Sequence, residues 1–150
     1  LSSDELAEGK AKLDDVSVVK EGVIAGNIGT HGMHDVTEGG LLGAVWEICN
    51  ISGLGVLIDE DRISVSEVTK KVCKYLSIDW KRLISSGCML IVAGAEKAEY
   101  ICAELEKNGI MVSQIGTVTE ASEGLLLKKS DGKLEKIDPP KTDELYRVSV

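Results

Sequence analysis

A polar segment that ends in two glycines runs directly into a long apolar segment. Residues 31–38 are polar or acidic at most positions, Gly39 and Gly40 follow, and residues 41–51 are almost entirely apolar. Glycine allows a left-handed backbone and a close approach of chains, so it is suited to a tight turn before a helix. The pattern predicts a short strand over 33–36 and a helix over about 38–51.

The predicted helix is apolar on nearly all sides. Glu47 and Asn50 are its strongly polar positions, and Trp46 lies near its middle. A helix of this kind is buried inside its domain or lies against another domain or subunit. We expect Trp46 to be a core residue, and we leave open whether part of the helix faces a further domain or a second copy.

Length, charge and composition limit the function classes. A chain of 150 residues is expected to form one domain. The formal net charge of −8 argues against a nucleic-acid or anionic-membrane surface, and the chain lacks the run of about 20 apolar residues that a membrane span needs. The four cysteines form no C-x-x-C pair and lie in apolar runs, which is typical of buried thiols in a reducing compartment. We therefore expect a cytoplasmic protein with neither nucleic-acid nor membrane partners.

The remaining pattern predicts an α+β fold. Leading helices are expected over 1–30, a core over 31–138 and an extended tail over 139–150, and because the chain opens at Leu1 we expect it to be a piece of a longer protein. Strands are predicted over 54–59, 88–93 and 111–119, and Ser130-Asp131-Gly132 indicates a hairpin. The expected architecture is a layered α/β sandwich on one mixed sheet.

The glycine turn is a candidate anion site. The start of a helix offers unpaired N–H groups and the positive end of the helix dipole, and Thr37 is placed to be the N-cap. A phosphate could therefore rest on Gly39 and Gly40. The alternative is a plain strand–turn–helix junction in which the glycines only relieve crowding. The Lys-Ser/Thr pair of a P-loop does not follow.

Charged and titratable residues beside the turn are candidates for chemistry. Asp35 can hold a magnesium ion or a substrate hydroxyl, and Glu38 can do the same or complement the helix dipole. His34 is a candidate for hydrogen bonding or proton transfer. His31, His34 and Asp35 together are too weak a pattern for a transition-metal site, so no metal site is expected.

The chain resembles a known family at these residues. Residues 33–41, which read Met-His-Asp-Val-Thr-Glu-Gly-Gly-Leu, resemble the signature that opens the C-terminal domain of the aminoimidazole ribonucleotide (AIR) synthase superfamily, which includes hydrogenase maturation proteins and selenophosphate synthetase. Further matches lie at 55–59, 83–87, 115–118 and 143–147, the last being similar to the branch related to hydrogenase expression/formation.

This resemblance implies a larger, ATP-dependent parent. An N-terminal domain, absent from this chain, would form a homodimer and carry most ligands of ATP and Mg²⁺. The parent would activate a small acceptor by phosphoryl transfer, and this domain alone would be inactive. Asp35, Thr37, Gly39 and Gly40 would line the nucleotide or substrate side, with His34 nearby. The alternative is a non-catalytic anion-binding or assembly module related to hydrogenase maturation.

The end of the chain departs from one branch of the family. The hydrogenase maturation enzyme that forms a thiocyanate on its own terminal cysteine ends in Pro-Arg-Ile-Cys. This chain ends in Arg-Val-Ser-Val at 147–150. We therefore do not expect dehydration of a carbamoyl group by that route, and the sequence does not select the acceptor.

Overall fold

The computed structural model describes residues 1–148 and contains five α-helices and six strands in that range. The helices are α1 (Ser3–Ala11), α2 (Val19–Ile28), α3 (Gly40–Ser52), α4 (Glu67–Leu76) and α5 (Ala95–Lys107). The strands are β1 (Gly32–Asp35), β2 (Gly55–Asp59), β3 (Met89–Val92), β4 (Gly116–Thr119), β5 (Leu125–Lys128) and β6 (Leu134–Lys136).

The strands form two sheets. The larger has the order β4-β2-β5-β6 and is mixed, because β2 is parallel to β5 and the other pairs are antiparallel. The smaller is the antiparallel pair β1-β3. The mixed sheet and the β5–β6 hairpin are confirmed, but the expected single sheet is in fact divided in two.

Helix α3 separates the two sheets and explains the division. One core cluster joins its Leu42, Val45 and Cys49 to Val56 and Ile58 of β2 and to Leu127 of β5, and Leu90 of β3 packs against this cluster from the smaller sheet. A helix that contacts a sheet on either side needs apolar residues around most of its circumference. The predicted burial of this helix is confirmed as far as Cys49, whereas Ile51 near its end is 84% exposed. Trp46 packs against the same core.

A second core cluster lies on the far side of the smaller sheet. Ala25 of α2 packs with Ile101 and Leu105 of α5, and Ile91 of β3 joins them. The leading helix α2 is therefore part of the packed domain. The layers run from α2 and α5 through β1-β3 and α3 to the four-stranded sheet.

Two expected elements differ in extent. The strand predicted over 111–119 begins at Gly116, because β4 pairs only along the length of β2. The tail is not extended throughout, since residues Glu144–Arg147 form a 3₁₀ turn with Asp143 as its N-cap. The last two residues of the expected tail lie outside the described residues. No helix within residues 1–148 is long and apolar enough to cross a membrane.

We predict that the central core tolerates truncation poorly. Leu127 is 1% exposed, whereas Leu134 on the neighbouring strand is 59% exposed. Leu127→Ala should lower the free energy of unfolding by about 2–5 kcal/mol because it leaves a cavity between α3 and the sheet. Leu134→Ala should change it by less than about 0.5 kcal/mol. Urea unfolding of both variants checks this, and equal losses would contradict the assigned core.

Candidate functional site: the start of helix α3

The turn before α3 is built from two left-handed glycines. Gly39 has φ +82° and Gly40 has φ +62°, and the Gly40 N–H donates to the Thr37 carbonyl at 3.1 Å. Gly39 is the N-cap of α3, and no side chain caps the helix from that position. The expectation that Thr37 is the N-cap is therefore wrong. The two glycines turn the chain after Thr37, which contributes its carbonyl to the turn while its side chain is exposed.

Gly40 is required by a close approach of backbone. A Cβ atom on Gly40 would lie 2.7 Å from the carbonyl oxygens of Lys81 and Leu83, a distance that real Cβ atoms do not adopt. One of these oxygens lies within the 3₁₀ turn Trp80–Arg82 and the other belongs to the residue that follows it. The first residue of α3 is therefore packed directly against this segment.

The anion at the start of α3 is a carboxylate of the same chain. The Gly39 N–H donates to Asp143 Oδ2 at 2.7 Å, and the Leu145 N–H donates to Asp143 Oδ1 at 2.8 Å. Asp143 is only 3% exposed, and a Cβ on Gly39 would lie 3.0 Å from Pro140 Cβ. A carboxylate is stabilised at this position by the helix dipole. In the sequence Asp143 stands out only as part of a family match, and no local pattern marks this contact with a residue 104 positions away.

Neighbouring tail residues hold the same segment in place. The Tyr146 hydroxyl donates to Glu38 Oε1 at 2.8 Å, and the Asp79 N–H donates to Glu144 Oε2 at 3.2 Å. The acceptor Glu38 raises the pKa of the Tyr146 phenol. Arg147 also donates to Glu144, at 2.9 Å. The tail thus contacts both the glycine turn and the residues before the Trp80–Arg82 turn.

A buried ion network supports the segment that packs on Gly40. Lys81, 8% exposed, places Nζ 2.8 Å from Asp79 Oδ1 and 3.1 Å from Glu60 Oε1, and Lys129 Nζ lies 3.0 Å from Glu60 Oε1. Burial opposes ionisation of Glu60, but the hydrogen bonds from Lys129 and Lys81 outweigh it and hold its pKa below the usual value. Burial likewise opposes the charge on Lys81, yet Asp79 and Glu60 raise its pKa. Both groups are therefore charged at neutral pH.

His34 and Asp35 point to opposite faces of β1. Strand residues alternate between faces, so Met33 and Asp35 share one face and His34 lies on the other. His34 faces α3, where Nε2 lies 2.9 Å from Glu47 Oε2 and Nδ1 lies 2.6 Å from the Asp35 carbonyl oxygen. Both ring nitrogens thus have an acceptor, and His34 links β1 to α3. The sequence did not single out Glu47 as its partner, although helix α3 offered few polar side chains.

Asp35 borders an open cleft of about 410 Å³ on the other face of β1. The cleft lies between α2 and the small sheet, and its other lining residues are apolar or glycine: Val18, Val19, Gly22, Val23, Met33 and Met89. The Asp35 side chain is 66% exposed there. The structure therefore separates the predicted site residues into two groups, with Gly39 beneath the tail, Gly40 against the segment 81–83, and Asp35 at the cleft.

The structure shows no metal cluster and no cysteine pair among the residues it describes. No group of three or more His, Cys, Asp or Glu side chains in that part of the chain is arranged to hold a metal ion. Cys49 and Cys73 are buried, as expected, and burial raises the pKa of both thiols. Cys88 is exposed and Cys102 is half-buried, so the expected burial of all four cysteines is wrong for these two.

Comparison with known proteins identifies the family. Residues 3–128 match the family model described as AIR synthase related protein, C-terminal domain. The chain belongs to this family. The resemblance inferred from residues 33–41 is confirmed, and so is the mixed α/β fold of this AIR synthase related domain.

The domain is similar to hydrogenase maturation proteins. It is 28% identical over 142 residues to a protein of Methanocaldococcus jannaschii named as a hydrogenase expression/formation protein, covering 93% of this chain and 42% of that one. It is 30% identical over 88 residues to carbamoyl dehydratase HypE of Azotobacter vinelandii, covering 57% of this chain and 26% of that one. The crystal structure of Escherichia coli HypE superposes with a TM-score of 0.77 at 25% identity, covering 88% of this chain and 42% of HypE. The chain therefore spans less than half the length of these relatives.

We predict that replacing Gly40 by Ala lowers the free energy of unfolding by more than the cost of a left-handed backbone alone, because of the close approach of the segment 81–83. Gly53, the C-cap of the same helix, has a similar φ of +68°, and a Cβ there would meet no described atom within 4 Å. Gly53→Ala should destabilise the AIR synthase related domain by about 1–2 kcal/mol. The loss of stability in Gly40→Ala should be larger by at least about 2 kcal/mol, since the backbone of residues 81–83 must move to admit the new Cβ. Urea unfolding compares the two, and equal losses would refute the packing role.

The ion network predicts an acid-dependent loss of stability. Because the pKa of Glu60 is lowered on folding, its stabilising contribution is full above its unfolded value of about 4.3 and is lost as pH falls through the folded value. Glu60→Gln should therefore destabilise the domain by about 1–3 kcal/mol at pH 7, and by progressively less as pH falls below about 4.3. The exposed Glu99→Gln is the control. Thermal unfolding across pH measures both, and a pH-independent difference would contradict the assignment.

Proposed function

We propose that the chain is the C-terminal domain of an ATP-dependent enzyme that activates a small acceptor by phosphoryl transfer, in a process related to hydrogenase maturation. Membership of the AIR synthase related family supports this proposal, together with the HypE relatives. A HypE structure in complex with ATP is a further neighbour, with a TM-score of 0.72, but its 24% identity bears only on the fold. The remaining catalytic groups would belong to the N-terminal domain that the longer relatives imply.

The observation that carries a role for this domain is the position of Asp35. Its carboxylate is exposed at the mouth of an open cleft, beside the turn that leads to α3. Carboxylate oxygens are preferred ligands of Mg²⁺, and in phosphoryl transfer charge stabilisation and positioning supply most of the catalysis. We therefore assign Asp35 to the nucleotide or substrate side of the cleft, with Thr37 nearby in the chain.

The start of α3 fits a phosphate less directly. The Gly39 N–H already donates to Asp143, and both glycines are buried beneath other parts of the chain. A phosphate could use the Gly39 N–H only after Asp143 had moved away. His34 is held between β1 and α3 by contacts at both ring nitrogens, so a role in proton transfer would also need one of these contacts to open.

The occupied helix start favours a second candidate function. A domain whose anion position is filled by its own carboxylate is suited to a non-catalytic module, in which the fold supports an assembly without turnover. The two candidates differ in one measurable property. An enzyme releases phosphate from ATP in the presence of its acceptor, whereas a module does not.

The role of Asp35 is tested with the variant Asp35→Asn, made in the longer protein that includes the proposed N-terminal domain. If Asp35 stabilises the nucleotide or substrate, kcat for phosphate release from ATP should fall on the order of tenfold or more while the thermal midpoint is unchanged. Asp4→Asn, an exposed carboxylate of α1, is the matched control. Unchanged kcat and KM in Asp35→Asn would remove Asp35 from the site. Absence of phosphate release from the wild type with any carboxylate, amide or amine acceptor would favour the module.

A further inference from the structure

The peptide unit that joins Asp35 to Val36 is held on both of its edges. The Val36 N–H donates to the Cys88 carbonyl at 2.8 Å, and the Asp35 carbonyl oxygen lies 2.6 Å from His34 Nδ1. The C=O and N–H of a trans peptide point in opposite directions, so the first contact faces β3 and the second faces the other edge of β1. Because Val36 is fully buried, the core fixes one edge of this unit and the His34 ring fixes the other.

Glu47 sets the direction of that ring from helix α3. His34 Nε2 lies 2.9 Å from Glu47 Oε2, while Nδ1 meets the Asp35 carbonyl. Both partners are acceptors, so a ring that makes both contacts carries a hydrogen on each nitrogen, and the Glu47 carboxylate balances the resulting charge. A contact at one ring nitrogen orients the other nitrogen. Glu47 therefore acts on the backbone of Asp35 through His34.

The Asp35 carboxylate depends on this backbone for its place at the cleft. It is 66% exposed, so few contacts restrain its rotamer. Oδ1 lies 4.0 Å from His34 Nδ1, which is beyond hydrogen-bonding distance but within range of electrostatic attraction. The His34 ring thus restrains Asp35 at two points, by a hydrogen bond to its carbonyl and by attraction of its carboxylate.

The contacts of His34 add less to stability than the apolar packing around them. The His34 and Glu47 side chains are 25% and 42% exposed, and ion pairs of that exposure are weakened by water. Apolar packing already joins β1 to α3, since a Cβ on Gly32 would lie 3.2 Å from Ile48 Cδ1. A polar link between these elements is therefore better explained by the precision that it gives to Asp35.

We propose that Glu47 and His34 are positioning residues, which hold the Asp35 carboxylate where it meets the nucleotide or substrate. This inference rests on the proposed function, since it assumes that Asp35 contacts a ligand in the cleft. Glu47 and His34 do not touch that ligand and act only through Asp35. Without Glu47 the His34 ring rotates, the Asp35–Val36 peptide loses its outer contact, and the carboxylate moves. A displacement of about 1 Å at a group that positions a reactant can lower a rate by up to about 100-fold.

The experiment is a double-mutant cycle in the longer protein that includes the proposed N-terminal domain. It measures kcat and KM for phosphate release from ATP with Mg²⁺, with water, acetate, acetamide or ethylamine as the acceptor. Glu47→Ala should lower kcat about tenfold, as is typical when a residue that orients a ligand is removed. In the Asp35→Asn background the same change should alter kcat by less than about twofold, because the group through which Glu47 acts is already lost.

Two further variants separate positioning from general loosening of α3. Glu47→Gln should keep kcat within about threefold of the wild type, since its amide can donate to His34 Nε2 while Nδ1 keeps its hydrogen and its contact. Cys49→Ala, at a core position of α3 that is 4% exposed, is the matched control. It should lower the thermal midpoint more than Glu47→Ala does and leave kcat unchanged. His34→Ala should repeat the behaviour of Glu47→Ala and keeps the test available if Glu47→Ala does not fold.

A second measurement is independent of turnover. The ¹³C resonance of a backbone carbonyl responds to the hydrogen bond that its oxygen accepts. The Asp35 carbonyl resonance should therefore shift in Glu47→Ala, a change 12 residues away in the chain, and stay in place in Glu47→Gln and Cys49→Ala. Nuclear magnetic resonance of the selectively labelled proteins detects this shift.

The outcomes distinguish the positioning role from the proposed function. A loss of kcat in Glu47→Ala that disappears in the Asp35→Asn background, together with the carbonyl shift, supports positioning. An equal loss in both backgrounds, an unchanged kcat in Glu47→Ala, or an unmoved carbonyl resonance overturns positioning and leaves the proposed role of Asp35 standing. Unchanged kcat and KM in Asp35→Asn, or no phosphate release by the wild type, overturns both, because Asp35 then has no ligand to be positioned for.

Discussion

The close contact between Gly40 and the segment 81–83 is the constraint on which the site depends. The backbone carbonyl oxygens of Lys81 and Leu83 would lie only 2.7 Å from a Cβ on residue 40. Helix α3 can therefore begin at this point only because its first residue is glycine. The ion pairs that the buried Lys81 makes with Asp79 and Glu60 fix the segment on the other side of the contact. Since α3 is the layer between the two sheets, this contact also fixes where the helix begins relative to both of them.

The electrostatics of the helix start follow from the same arrangement. A helix that begins in the interior must satisfy its first N–H groups there, because water does not reach them. Asp143 supplies the acceptor from a position 104 residues further along the chain. The carboxylate therefore stabilises the start of α3 and fixes residues 143–145 against it.

The elements with strong local signals could be predicted from the sequence. The nearly all-apolar pattern of residues 41–51 predicts a buried helix, and Ser130-Asp131-Gly132 predicts the hairpin, because both depend on neighbours in the chain. The division into two sheets could not be predicted, since it depends on which strands α3 separates. The contacts of Asp143 and the charges around Lys81 join residues far apart in the chain, and no local pattern marks such pairs.

Strand alternation explains why the candidate site was predicted only in part. His34 and Asp35 are adjacent in the sequence, and a motif suggests that adjacent polar residues act together. In a strand they face opposite sides, so His34 binds Glu47 on α3 while Asp35 meets the open cleft. Within this motif His34, Gly39 and Gly40 hold α3 against its neighbours, whereas the exposed Asp35 carboxylate lies at the cleft, 4.0 Å from His34 Nδ1. For this reason we propose Asp35, rather than His34, as the residue of the motif that meets a ligand.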